Sequence, residues 1–287
     1  MIELNAGKYA LVLLPLDSVK INTLFARAVL EQKIAGKVYA DDADDPRAFY
    51  IAHPYGMSLL FGESGNDAFN RALSDYIINK AKTRRAAEWL QADPAGEWSG
   101  IVDDILDDYN HSPGVIAAYL QDAHSTRVIQ RNTRVNFVLD RPLFAAAKAN
   151  AGRQDTRIAR MTGEHFAALE QGVVPRFFWR DAAHFLSEGA GFVLVEDGEI
   201  AAAAFSSCVS RDQLEIGIET MQDHRAKGYA SLVSAALIEY CLDHGLEPVW
   251  ACRLENTGSY RLAQKLGFRP VLTLPYYCLA YEASNNQ

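Results

Sequence analysis

Apolar and polar positions follow two different periods along this chain, and the changeovers mark its elements. Between 228 and 245, Leu232, Val233, Ala236, Leu237, Tyr240 and Cys241 recur at helical spacing, and Gly245 fits a helix stop. Just before that helix, Leu214, Ile216 and Ile218 repeat every second residue, as in a strand with one buried face. Strands are also predicted at 157–161, 191–196 and 200–209, the last two joined by Asp197-Gly198, a strong hairpin signal. Helices are predicted near 163–171 and 181–188, and Pro248-Val249-Trp250-Ala251-Cys252 reads as another strand. A second short helix then ends at Leu266-Gly267-Phe268.

The first half is less regular. Residues 9–16 and 57–61 read as strands, 19–34 and 67–82 as helices, and 127–139 as a strand closing a further α/β unit. Around 146–155 the residues become small and polar and include a glycine, which places a boundary between domains 1–150 and 151–287.

The segment from Ile218 through Ala230 sets a strand, a tight turn and a helix start in succession, an order that builds an anion site. Arg225, Ala226, Lys227, Gly228, Tyr229 and Ala230 would offer consecutive backbone N–H groups at the positive end of the helix dipole. Gly228 has no Cβ, so a bulky phosphate can approach the backbone. Such a turn suits a pyrophosphate. Neither a Walker loop nor a Gly-x-Gly-x-x-Gly fingerprint occurs in the chain.

Arg225-x-x-Gly228-x-Ala230 resembles the Arg/Gln-x-x-Gly-x-Gly/Ala signature of the GNAT (GCN5-related) acyltransferases. Asn256-x-x-Ser259-x-x-Leu262-Ala263-x-Lys265-Leu266-Gly267-Phe268 looks like that family's second motif, and the two stand in the family's order. Together with Glu219-Thr220, Trp250 and Cys252, they resemble the subgroup that includes the zwittermicin A resistance acetyltransferase. The resemblance covers residues 150–287. It implies a GNAT fold, a mixed central sheet with flanking helices, preceded by a second α/β domain read as a diverged GNAT-like half without a phosphate turn. It also implies acetyl-CoA as co-substrate, with its pyrophosphate on the turn and its thioester carbonyl polarised by N–H groups near Ile218 and Thr220. Asn256 and Ser259 would lie along the CoA arm, although capping of the short helix is the stronger reading of Asn256 from its residue type.

An amine attacking a thioester must lose a proton, and a carboxylate can take it directly or through water. Glu215 and Glu219 are four residues apart on one strand and therefore share a face, with solvated edge carboxylates as the alternative reading. Many members of the family place a proton-donating tyrosine where this chain has Ala263. Tyr260, Ser259 and the Tyr276-Tyr277 pair are the replacements considered, each with packing or capping as the plainer role.

Composition changes this picture little. A hydrophobic content of 49% over 287 residues supports two modest domains, and a formal charge of -8 disfavours a nucleic-acid binder. No run is long enough to cross a membrane and the first residues lack signal-peptide character, so the expected location is cytoplasmic. Cys208, Cys241, Cys252 and Cys278 form no Cys-x-x-Cys pair and are expected as buried thiols, with no metal site. Asp103-Asp104-Ile105-Leu106-Asp107-Asp108 matches the Asp-Asp-x-x-Asp string of prenyl-transfer enzymes; without a second aspartate-rich helix it reads as a solvated face, as does Asp41-Asp42-Ala43-Asp44-Asp45. His53, His111, His124 and His244 form no set, and His224 adjoins the turn.

The expectation is an N-acetyltransferase that moves acetyl from acetyl-CoA to a primary amine of a small molecule, by direct attack in a ternary complex. The first half would wall the acceptor pocket, and assembly as a homodimer stays open. The alternatives are a non-catalytic acyl-CoA-binding module and a protein or peptide N-acetyltransferase.

Overall fold

The computed structural model describes residues 1–122, 125–151 and 156–282, in two compact units. Unit 1 comprises Met1–Arg134 with Leu274–Gln287, and unit 2 comprises Val135–Thr273. Along unit 1 run β1 (Ile2–Glu3), α1 (Ala10–Ser18), α2 (Leu24–Leu30), β2 (Lys37–Ala40), β3 (Ala48–His53), β4 (Met57–Gly62), α3 (Asp67–Ile77), β5 (Trp89–Ala92), α4 (Trp98–Asn110) and α5 (Pro113–Gln121). β6 (Gln130–Leu139) carries the chain into unit 2, which holds α6 (Arg141–Ala151), β7 (Ile158–Arg160), α7 (Gly163–Ala168), α8 (Ala182–Glu188), β8 (Gly191–Glu196), β9 (Glu199–Ser210), β10 (Gln213–Thr220), α9 (Tyr229–Asp243), β11 (Glu247–Arg253) and α10 (Thr257–Lys265). β12 (Phe268–Cys278) leads back into unit 1.

In unit 1 the strands lie in the order β1-β2-β3-β4-β5-β12, antiparallel except for the parallel pair β4 and β5. Tyr50, Leu60, Leu90 and Tyr277 on one face of that sheet pack against Phe69, Leu73 and Ile77 of α3 and against Trp98 and Val102 of α4. Asn66 starts α3 by accepting the N–H groups of Ala68 and Phe69. A buried polar cluster sits beside this core. Glu88 accepts from the hydroxyls of Tyr50 and Tyr76 and pairs with Arg84 at 3.0 Å, and Arg84 also donates to the carbonyls of Tyr76, Ile77 and Ala280.

In unit 2 the order is β6-β11-β10-β9-β8-β7. β7 to β10 are antiparallel, and β10 and β11 are parallel. Asp197 and Gly198 have φ of 54° and 84°, the left-handed pair that a two-residue hairpin requires. α9 packs Tyr229, Val233, Leu237 and Cys241 against Leu194, Ala202, Ala204 and Leu214, while Ile238 enters a second cluster with Trp250, Ala263 and Phe268. Cys208, Cys241, Cys252 and Cys278 are all buried.

Several sequence expectations give way. Residues 9–16 are largely helical: Val12 and Leu16, one turn apart, are buried while Leu14 is 80% exposed, a helical and not an alternating pattern. The helix expected at 19–34 shrinks to Leu24–Leu30, and the one at 67–82 stops at Ile77. The expected linker at 146–155 begins as the last turn and a half of α6, whose alanines favour helix, and the units divide instead inside β6 and β12; residues 152–155 lie outside the described residues, as does His124.

Glu88→Ala would leave the Arg84 guanidinium, with a side chain 9% exposed, buried without its carboxylate. The expected loss of unfolding free energy is about 3–5 kcal/mol by urea denaturation, and a loss below about 1 kcal/mol would show that this cluster does not hold unit 1 together.

Candidate functional site

β10 ends at Thr220, and a single 3-10 turn over Gln222–His224 follows. The backbone then reverses twice. Ala226 has φ of 62° and Gly228 φ of 84°, on either side of Lys227, after which α9 begins at Tyr229. Left-handed residues alternating with ordinary ones turn successive N–H groups to one side, forming a concave donor site for an anion. Among the described residues, no protein acceptor takes the backbone N–H of Ala226, Lys227, Gly228, Tyr229 or Ala230. Arg225 closes the turn from outside by donating through Nε to the Thr220 carbonyl at 3.2 Å. A Cβ on Gly228 would meet no protein atom within 4 Å, so the backbone angle demands glycine there and the space in front of it is open.

Glu196, at the end of β8, holds this turn from the side. Its carboxylate accepts from the Tyr229 hydroxyl, from Lys227 Nζ at 3.2 Å and from Arg157 at 2.8 Å, with His224 Nδ1 at 3.0 Å. The Tyr229 hydrogen bond first, with those of Lys227 and His224, brings the Glu196 carboxyl down to about 2. The sequence reading did not single out Glu196, because its partners are distant in the chain.

The second feature is a wedge between two strands. β10 pairs with β11 only from Gln213↔Glu247 to Glu215↔Val249, yet β10 continues to Thr220 and β11 to Arg253. Met221 N–H donates to Ala201 on the β9 side, so by strand alternation the N–H groups of Ile218 and Thr220 point the opposite way, into the wedge. Thr220 N–H is taken by the Glu219 carboxylate at 3.1 Å, which leaves the Ile218 N–H as the donor facing the gap. Opposite the last rungs, β9 carries one extra residue, Ser207, between the partners of Glu215 and Ile216. Such a bulge sharpens the local twist.

Because the extra residue belongs to β9, the alternation of β10 is intact and Glu215, Gly217 and Glu219 share a face. Their surroundings differ. Glu215 is 5% exposed and lies within the paired stretch, while Glu219 stands four residues beyond the last rung with its side chain 16% exposed. Glu219 Oε2 accepts the Val173 N–H at 2.7 Å, and Oε1 lies 3.7 Å from Arg225. Gly172, at φ 83°, makes this contact possible, since a Cβ there would come within 2.0 Å of Glu219 Oε2.

The residues in and around α10 make contacts within unit 2. Asn256 caps the helix by accepting the Ser259 N–H at 3.1 Å, and Ser259 Oγ accepts from Trp250 Nε1 at 3.2 Å. The Tyr260 ring packs edge-on to Phe137 at 5.3 Å, and Ala263 is fully buried beside Trp250, Cys252 and Phe268. A side chain at 263 therefore enters the core in this chain. In unit 1, Tyr277 donates to Asp103 at 2.9 Å, and the Asp41 carboxylate accepts the N–H groups of Arg47 and Ala48. His53 is buried, and desolvation brings it down to about 4. Among the described residues no cluster is arranged to hold a metal ion, and no helix is long and apolar enough to cross a membrane.

Comparison with known proteins gives one consistent result. A family model described as GNAT acetyltransferase matches residues 18–277, including the half in which the sequence motifs are silent. An uncharacterized N-acetyltransferase, YdfB, of Bacillus subtilis is 25% identical over 276 residues, covering 96% of this chain and 97% of that protein. Among solved structures, a GCN5-related N-acetyltransferase-like protein from Streptococcus suis superposes with a TM-score of 0.62 at 20% identity, covering 90% of this chain and 96% of its own. A tandem GNAT protein from the clavulanic acid biosynthesis pathway superposes with a TM-score of 0.55 at 13% identity, covering 99% of both chains. These likenesses extend the shared fold to the first half.

The left-handed turn can be tested by stability alone. Gly228→Ala should cost about 1–2 kcal/mol although nothing blocks the methyl group, and Ala226→Gly should be neutral or stabilising by up to about 1 kcal/mol. Equal losses in both variants would contradict the turn geometry. Glu196 gives a pH signature. Its folded-state value lies below the ordinary 4.5, so its contribution is present above pH 4.5 and is lost as pH falls through about 2. The difference in Tm between the unmodified protein and Glu196→Gln should therefore be constant near neutral pH and narrow below pH 4.5; a gap that widens there would refute the clamp.

Proposed function

This chain belongs to the GNAT acetyltransferase family, and on that premise we propose that it transfers acetyl from acetyl-CoA to a primary amine of a small molecule by direct attack in a ternary complex. The observation that carries the reading is the run of open N–H groups from Ala226 to Ala230 beside the β10–β11 wedge. The N–H groups of the turn receive the diphosphate, with the helix dipole of α9 behind them. The wedge then takes the pantetheine arm and brings the thioester carbonyl to the Ile218 N–H. This donor stabilises the oxyanion that forms when the amine nitrogen attacks the carbonyl carbon.

Glu219 takes the proton of the attacking amine, directly or through one water, because it lies where the strands have separated and Glu215 does not. Its bond to Val173 N–H fixes the carboxylate against the loop that carries Gly172. The C–S bond then breaks and CoA departs as a thiolate. A thiol has an ordinary pKa of about 8.5, so the leaving group needs little protonation near neutral pH. This accounts for a working enzyme with Ala263 in the core and Tyr260 packed on Phe137. Those two placements, with both Glu219 oxygens engaged, also favour the second reading, an acyl-CoA-binding module without turnover. Thioester consumption with a panel of amines separates the two. Membership in the zwittermicin A resistance subgroup belongs to the same proposal.

Glu219→Gln should lower kcat by about 100-fold or more while the Kd for acetyl-CoA moves by less than about threefold, and Glu215→Gln should lower kcat much less. Full turnover in Glu219→Gln would remove the base assignment. Tyr260→Phe should lower kcat by less than about tenfold; a loss of about 100-fold in a folded variant would make its hydroxyl the missing acid.

A further inference from the structure

Unit 2 carries a second group of donors beside the turn. Arg157, at the approach to β7, reaches Glu196 at 2.8 Å and the Tyr229 hydroxyl at 3.3 Å, with its guanidinium 5.1 Å from the centre of the Tyr229 ring. Lys227 reaches the same carboxylate at 3.2 Å and lies 5.8 Å from the same ring. The arrangement is layered. The Glu196 side chain is 20% exposed, whereas those of Arg157 and Lys227 are 41% and 44% exposed, so the acid lies beneath and the cations face solvent. Two cations, Arg157 and Lys227, thus lie against the one carboxylate of Glu196. The low value of the Glu196 carboxyl, about 2, reflects the hydrogen bond from Tyr229 first, with those from Lys227 and His224.

These side chains flank backbone that would hold the diphosphate, since Lys227 and Tyr229 belong to the turn itself. In CoA the ribose attached to that diphosphate bears a 3′-phosphate, a phosphomonoester with a charge of about −1.5 to −2 near neutral pH. We propose that Arg157 and Lys227, held together by Glu196, bind the 3′-phosphate of CoA, so that the protein distinguishes CoA from its 3′-dephospho form. Arg157 offers a planar guanidinium that matches phosphate oxygens, Lys227 adds a point charge, and Glu196 keeps the two from spreading apart. The inference rests on the acetyl-CoA reading of the turn.

The test is calorimetric titration of the full chain with CoA and with 3′-dephospho-CoA. The unmodified protein should bind CoA at least about tenfold more tightly at low salt, and the difference should shrink in 0.5 M salt, as for exposed charges. Arg157→Gln should bring the two affinities within about threefold of each other with the dephospho-CoA Kd unchanged, and Arg157→Lys should restore most of the preference. Equal affinities in the unmodified protein, or a parallel loss for both ligands in Arg157→Gln, would overturn the 3′-phosphate site. Binding of neither ligand by the unmodified protein would overturn the diphosphate reading and this inference with it.

Discussion

The site depends on a pairing that stops. Adjacent strands normally consume each other's backbone donors and acceptors, and groups left over must find another partner. β10 and β11 bond only as far as Glu215 and Val249 and then run on apart, so the sheet itself supplies a slot lined with peptide groups. The extra residue of β9 beside those last rungs, and the Phe205 ring lying against Gly217, shape β10 from its other side. The Trp250 indole, fastened to Ser259, ties β11 to α10. Each strand is therefore supported on the side away from its neighbour.

The turn applies the same logic to a helix end. Every helix begins with N–H groups that lack an internal acceptor, and most chains satisfy them with a side chain such as Asn66 or Asn256. α9 has Gly228 at that position, with no side chain to cap it. Ala226 accepts a left-handed angle that costs an L residue about 1–3 kcal/mol, and the contacts of Glu196 with residues on both sides hold the chain in it. Strain and unmet donors coincide at one spot, the arrangement expected where a ligand completes the structure.

What was legible in the sequence follows from which features have a local signature. Asp197-Gly198 announced its hairpin because few residue pairs tolerate two positive φ angles, and Leu214, Ile216 and Ile218 announced β10 because one face is buried against α9. The run at 9–16 misled because nearly every residue is apolar, so period is hidden and only burial of Val12 and Leu16 reveals the helix. Ala226 gave no sign of its left-handed angle, since alanine has no chemistry that asks for it. Glu196 was invisible for another reason: Arg157, His224, Lys227 and Tyr229 come to it only through the sheet. Ala263 read as a gap in the catalytic set, but the fold turns it inward, where a methyl group fits beside Trp250 and Phe268.

The division of the chain also sets an order of assembly. Unit 2 is continuous from Val135 to Thr273, whereas unit 1 needs residues that follow unit 2: Tyr276, Tyr277 and Cys278 pair with β5, Leu279 N–H donates to the Glu88 carbonyl, and Arg84 donates to the Ala280 carbonyl. On a ribosome, the N-terminal strands emerge first and wait longest. The β5 edge remains a bare row of peptide groups, and Arg84 lacks one of its carbonyl acceptors, until residues 276–280 have been made. Unit 1 is begun before unit 2 and closed after it, so its open edge is exposed to misfolding and degradation for at least the time needed to synthesise unit 2.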